Sequence, residues 1–190
     1  MESALIVSST ENGRQFIAGL LKSNSIQYVT VVSSGNEARR LLLDTSFNLI
    51  VINSPLQDEF GHELALQCAD CTNSGILMLV KAEMADDISA KVEDYGVFVV
   101  SKPVNRQFFF QSLKLVIASY KRVRGLQNEN VKLQQKIDEI RLVDRAKCSL
   151  IQYLNMTEAQ AHRYIEKQAM DLRITRREVA ENILKTYESY

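Results

Sequence analysis

Residues 48–61 read NLIVINSPLQDEFG. The run Leu49–Ile52 has the length and β-branched content of a short buried strand, and Asn53 is the one polar side chain it delivers to the start of the following loop. Such a mount suits chemistry, yet it carries an amide where a carboxylate would be the reactive group. The surrounding pattern decides what kind of mount it is.

Four more runs of the same type occur in the first 120 residues: Ala4–Val7, Tyr28–Val32, Ile76–Val80 and Val97–Val100. Between them, stretches such as Asn12–Lys22 and Asn36–Leu43 carry apolar residues at helical spacing. Five strand-and-helix repeats predict an α/β fold, a five-stranded parallel sheet with helices on both faces. In that architecture ligands sit at the carboxyl ends of the strands. The residues of interest there are Ser8 and Ser9, Asn53, Val80 with Lys81, and Ser101 with Lys102.

With 190 residues, 46% of them hydrophobic, the chain can bury one good core and a smaller second unit. Its 23 basic and 23 acidic residues cancel, but unevenly. Residues 1–120 hold 9 Lys/Arg against 13 Asp/Glu, net −4, and residues 121–190 hold 14 against 10, net +4. The basic end is the candidate nucleic-acid surface.

The apolar run near the N-terminus is too short for a signal peptide, and no later stretch approaches a membrane span, so a cytoplasmic protein is expected. Cys68, Cys71 and Cys148 are too few for a disulfide framework. Cys68-Ala-Asp-Cys71 has C-x-x-C spacing, but no second pair accompanies it and the only histidines are His62 and His162. Two ordinary thiols near a helix end are expected, with no metal site and no cofactor.

From Gln107 to Leu142 there is no proline and only Gly125. A heptad starting at Val123 places Val123, Asn130 and Ile137 at a positions and Leu126, Leu133 and Ile140 at d. A polar Asn at one a site fixes register and favours a parallel two-stranded coil, which predicts a homodimer. The alternative is one long helix that folds back on its own N-terminal domain.

Beyond it, Thr157-Glu158-Ala159-Gln160 and Thr175-Arg176-Arg177-Glu178 have capping-box form. Ala161, Ile165, Ala169 and Leu172, then Val179, Ala180, Ile183 and Leu184, each line one helix face. With Ala146–Leu154 they make three short helices, too small for an enzyme with a pocket. Arg145, Lys147, Arg163, Lys167, Arg173, Arg176 and Arg177 remain as an exposed cationic set. The interspersed Glu158, Glu166, Glu178 and Glu181 leave open that this is only a solvated face.

The five-fold alternation, Gly61 after the third strand's loop and Ser101-Lys102-Pro103 after the fifth make residues 1–120 resemble the receiver domain of two-component response regulators, a flavodoxin-like fold. Family receivers hold Mg²⁺ on an acidic pair after strand one and accept phosphate on an aspartate after strand three. Strand four ends in Thr or Ser, and strand five in Lys. Here Ser8 and Ser9 replace the acidic pair, and a hard cation prefers carboxylates. Asn53 replaces the acceptor, and an amide forms no acyl phosphate. Val80 replaces the hydroxyl, and Val99 stands where many receivers keep a switching aromatic. Lys102 alone remains, expected to cap or pair locally. The departures imply a degenerate phosphorylation pocket in a pseudo-receiver. Asp58 and Glu59 lie close in sequence but beyond the strand end, which disfavours them as replacements.

Ala146-Lys147, Ala161-His162-Arg163, Ala169-Met170-Asp171 and Val179-Ala180 together resemble the ANTAR domain, a three-helix RNA-binding module of transcription antitermination regulators. The resemblance covers roughly residues 142–187, and it implies three parts: a receiver-like domain at 1–120, a coiled-coil linker at 121–141 and the helical module at 142–190. Family members bind two small stem-loops in nascent mRNA leaders and so prevent a terminator hairpin. A parallel dimer offers two modules for such a target. On this basis Lys147, Arg163, Gln168, Arg173, Arg176 and Arg177 are expected to contact RNA. Tyr153 and Tyr164 are expected as core aromatics, with base stacking as their alternative role, and Ala161, Ala169 and Ala180 as close-packing positions. A protein or ligand partner at the receiver-like domain would replace phosphorylation as the control. Two other classes stay open: a DNA-binding response-regulator-type transcription factor, and a protein-interaction adaptor. No catalytic residues are assigned.

Overall fold

Five strands form where the apolar runs lie: β1 Ser3–Ser8, β2 Tyr28–Val32, β3 Leu49–Asn53, β4 Gly75–Lys81 and β5 Val97–Lys102. They alternate with helices α1 Glu11–Lys22, α2 Gly35–Asp44, α3 His62–Cys71, α4 Ala85–Val92 and α5 Arg106–Leu154. This is a computed structural model, and it describes residues 3–187. The first two and last three positions of the expected end domains lie outside the described residues. The chain divides into two units between Gly125 and Leu126.

In the first unit all strand pairs are parallel, in the order β2-β1-β3-β4-β5. This is the flavodoxin-like order, with its crevice where β1 and β3 part at their carboxyl ends. Register sets Ser8 opposite Asn53, Asn53 opposite Leu79 and Lys81 opposite Lys102. The central strands read as unbroken apolar runs because both faces are covered. On one face Leu5, Val7, Ile50, Ile52, Met78 and Val80 pack with Leu64, Ala65 and Cys68 of α3 and Ile88 and Val92 of α4. On the other, Ala4, Ile6, Val51, Leu77, Leu79 and Val100 meet Ile17, Leu20 and Leu21 of α1 and Phe109, Leu113 and Val116 of α5. Each large side chain so buried stabilises the unit by roughly 1.5–3 kcal/mol before entropy is counted. The opening turns of α5 therefore belong to this domain's core.

At the sheet's opposite end, the Asn48 side chain accepts from Ser3 N–H at 2.9 Å and donates to the Tyr120 hydroxyl at 2.8 Å. Arg124 Nη1 donates to that hydroxyl at 3.0 Å.

The second unit holds the end of α5, α6 Glu158–Leu172 and α7 Arg176–Tyr187. Both expected capping boxes form. Thr157 Oγ1 accepts from Gln160 N–H at 3.3 Å while Gln160 Oε1 accepts from Thr157 N–H at 2.8 Å. Thr175 and Glu178 do the same at 3.2 and 2.7 Å. Ala146, Leu150, Ala161, Ile165, Val179, Ala180, Ile183 and Leu184 make the core.

Leu172 departs from the sequence expectation: it is 58% exposed. The helix ends there because Arg173 takes the left-handed conformation, φ 54°. Ile174 N–H then bonds Ala169 C=O at 3.1 Å and Arg173 N–H bonds Met170 C=O at 3.3 Å, a Schellman closure. That reversal turns Ile174 into the core in place of Leu172.

None of the described helices is long and apolar enough to cross a membrane. The thiols are free, with Cys68 buried and Cys71 and Cys148 exposed. Burial pushes the Cys68 thiol up to about 12.

Candidate functional site

Two places collect the residues singled out by sequence. The first is a recess of about 310 Å³ at the carboxyl ends of the strands, walled by Gly13, Phe16 and Ile17 of α1, Asn53, Leu79, Lys102 and the following Pro103 and Val104. Asn53 Nδ2 donates to Ser8 Oγ at 2.8 Å, and Ser8 is fully buried. Ser9 turns outward, its Oγ donating to Pro55 C=O at 2.9 Å. Lys102 Nζ donates to Ser54 C=O at 2.5 Å. Burial, and then the like charge of Lys81, hold the Lys102 ammonium below the usual lysine value.

Val80 is not a wall of this recess. It is fully buried in the core on the α3 and α4 face, and its neighbour Leu79 supplies the wall. Alternation along a strand sends successive side chains to opposite faces, so the two cannot share a role.

Asp58 and Glu59 are engaged elsewhere. The Asp58 carboxylate accepts from Gly35 N–H at 2.8 Å and Asn36 N–H at 2.9 Å, at the positive end of α2. Those two bonds hold it below the usual carboxylate range. Glu59 pairs with Arg39 at 2.5 Å. Among the described residues no group of three His, Cys, Asp or Glu side chains comes together.

Gly13 is a site residue that sequence reasoning missed. A Cβ there would lie 2.6 Å from Asn53 Nδ2, 2.7 Å from Thr10 Oγ1 and 2.8 Å from Ser8 Oγ. Only glycine lets the first turn of α1 approach the strand ends this closely. A glycine three residues after the capping Thr10 was its only trace in the sequence.

The second place is the cationic face of the helical unit, and the six expected contact residues differ there. Lys147 is held between Asp144 at 2.8 Å and Glu158 at 3.0 Å, with its side chain 16% exposed. Asp144 first, then Glu158, raise its pKa. Arg176 pairs with Glu139 at 3.5 Å and Arg177 with Glu181 at 3.1 Å. Gln168 is half-buried. Arg163 and Arg173 are exposed and make no ion pair among the described residues, and the same holds for Lys167. Arg163 and Lys167 stand four apart on α6, hence on one face. That spacing sets Lys167 beside Arg163 on an exposed face of α6.

The aromatics are not core residues as expected. Tyr153 is 53% exposed and stacks on Tyr187 with ring centroids 5.3 Å apart, and Tyr164 is 37% exposed. On α5, Val123, Leu126, Asn130, Leu133, Ile137 and Ile140 all face solvent.

Comparison with known proteins bears on both places. Residues 131–184 match the ANTAR domain. The transcriptional regulatory protein PdtaR of Mycobacterium tuberculosis H37Rv is 24% identical over 173 residues, 91% of this chain and 84% of the relative. Among solved structures, a response regulator receiver domain protein from Clostridium thermocellum matches with TM-score 0.57 and 17% identity, over 65% of this chain and 99% of that one. The chemotaxis response regulator CheY4 of Vibrio cholerae matches with TM-score 0.53 and 21% identity, over 61% and 98%.

Proposed function

From a receiver-like domain followed by an ANTAR domain, we propose a transcription antitermination regulator that binds paired stem-loops in nascent mRNA as a parallel homodimer. The observation that carries this is the ANTAR match over residues 131–184, whose span holds the unpaired cations Arg163, Lys167 and Arg173. Arg163, Arg173 and Lys167 make the first contacts with phosphates and splayed bases. Arg176, Arg177 and Lys147 join only by exchanging their carboxylate partners for RNA. Tyr153, backed by Tyr187, offers a face for a loop base. The exposed heptad of α5 supports the dimer, since six such positions, five of them apolar, gain cover from a second copy.

In the same proposal the receiver-like domain neither accepts phosphate nor depends on Mg²⁺. Asn53 carries no nucleophilic oxygen anion, and Ser8 and Ser9 offer neutral hydroxyls. The protein then acts as a cytoplasmic regulator without catalytic activity of its own.

Binding of the purified protein to an RNA with two adjacent stem-loops, compared with a single hairpin and duplex DNA over a salt series, tests this. Preference for the paired RNA, falling with salt as phosphate contacts require and weakened by Arg163→Ala, is the expected result. Equal binding to all three overturns it.

A further inference from the structure

We propose that the recess between α1 and the carboxyl ends of β3, β4 and β5 binds a small organic monocarboxylate with a compact apolar body. The proposal rests on the domain not being phosphorylated, and it names what the pocket takes instead.

Charge is the first argument. Lys102 is a half-buried ammonium whose one hydrogen-bond partner is the Ser54 carbonyl, so two of its three donors are open. It forms no ion pair among the described residues. Of the acids in the surrounding loops, Glu11 pairs with Arg14, Asp58 holds the α2 amides and Glu59 pairs with Arg39, while Glu83, Asp86 and Asp87 after β4 are exposed to solvent and form no ion pair with Lys102. Lys81, opposite Lys102 in the sheet, adds a second positive charge. A partly desolvated cation without a counter-charge draws an anion.

Shape and chemistry of the walls choose which anion. Phe16, Ile17, Leu79, Pro103 and Val104 line most of the recess, and a phosphate or sulfate gains nothing against them. A volume of about 310 Å³ lies at the small end of ligand pockets. A carboxylate on a single ring or a branched chain puts its charge on Lys102 and its body on those walls. Asn53 spends one amide hydrogen on Ser8 and keeps the other for a carboxylate oxygen. An aspartate at this position would repel the same ligand. The neutral mount, useless for an acyl phosphate, is what admits an anion without a covalent bond.

Titration of the full chain with benzoate and with 4-methylpentanoate, followed on the Gly13 backbone amide and the Asn53 side-chain amide by ¹H–¹⁵N NMR, tests it. Both carboxylates should shift these signals, with benzamide and inorganic phosphate binding about tenfold more weakly or worse, as loss of a charge-assisted contact or of apolar burial demands. Lys102→Met should abolish the shifts. Asn53→Asp, which preserves shape and whose fold is checked by thermal melting, should abolish the shift of the Gly13 amide, the reporter that remains in this variant. The proposal is overturned if neither carboxylate moves the signals, if phosphate binds as tightly as benzoate, or if both variants bind benzoate unchanged. A phosphoryl adduct found by intact mass after treatment with acetyl phosphate would instead overturn the unphosphorylated reading of the domain, so the two failures are told apart.

Discussion

Asn53 Nδ2 donates to Ser8 Oγ at 2.8 Å, so a neutral hydrogen bond links the side chains ending β3 and β1 across the crevice. In a phosphorylatable arrangement those positions would carry like charges held together by a cation. Here no cation is needed to hold them. Incubation with acetyl phosphate and Mg²⁺ is expected to leave the intact mass unchanged. Asn53→Asp alone is also expected to stay unmodified, because Ser8 and Ser9 still give the metal no carboxylate.

Gly13 and Gly19 lie on the same helix with opposite surroundings. Gly13→Ala meets three polar atoms within 2.8 Å, whereas a Cβ at Gly19 meets nothing within 4 Å. Urea denaturation should show Gly13→Ala destabilised by ~1–3 kcal/mol as an overpacked site. Gly19→Ala should be stabilised by ~0.5–1 kcal/mol through helix propensity.

The Asp58 clasp on α2 predicts a pH dependence. Its folded-state pKa lies below the ordinary value of 3.8 because two backbone amides stabilise the carboxylate. The contribution is therefore complete above the unfolded pKa and is lost as pH falls through the folded one. The stability gap between wild type and Asp58→Ala should be constant near neutrality and shrink below about pH 4, measured by denaturation at stepped pH.

Arg173 joins a charge to a left-handed backbone at φ 54°. Arg173→Gly should raise the melting temperature, worth ~0.5–1 kcal/mol, since glycine adopts that conformation without a Cβ penalty. Arg173→Ala keeps the strain and gains nothing. Both variants should weaken RNA binding, which separates the side chain's role from the backbone's.

Leu126 and Leu133 are 58% and 57% exposed on one helix. The Leu126→Asp/Leu133→Asp variant should sediment as a monomer where the wild type sediments as a dimer. An unchanged mass would remove the coil as the dimer contact.

The strands and both capping boxes were legible because each is a local pattern, a short apolar run or a Thr three residues before Gln or Glu. What escaped depends on the path of the chain in space. Leu172 fits the apolar face of α6 by spacing, yet Arg173 stops the helix without the glycine that usually marks such a stop, and Ile174 takes the buried place. Val80 was placed in the pocket by analogy of position, but strand alternation hands that wall to Leu79. Gly13 matters most through Asn53, which is far off along the chain and lies nearest to where its Cβ would be. The pairs Lys147–Glu158 and Arg176–Glu139 likewise depend on which helices meet, whereas Arg177–Glu181 and Lys147–Asp144 are neighbours within one helix.

The two halves of the sheet's core also close at different moments of synthesis. The face built by α3 and α4 can pack once the strands have emerged. The face holding Ala4, Ile6 and Val51 waits for Phe109, Leu113 and Val116 of α5, roughly a hundred residues after β1. Until those residues emerge, this face has only Ile17, Leu20 and Leu21 of α1 and the neighbouring Ile26 to cover it, and contacts of such sequence separation form slowly. Any truncation meant to isolate the domain must run through Tyr120 to keep Phe109, Leu113 and Val116 in the core and the Asn48–Tyr120 hydrogen bond.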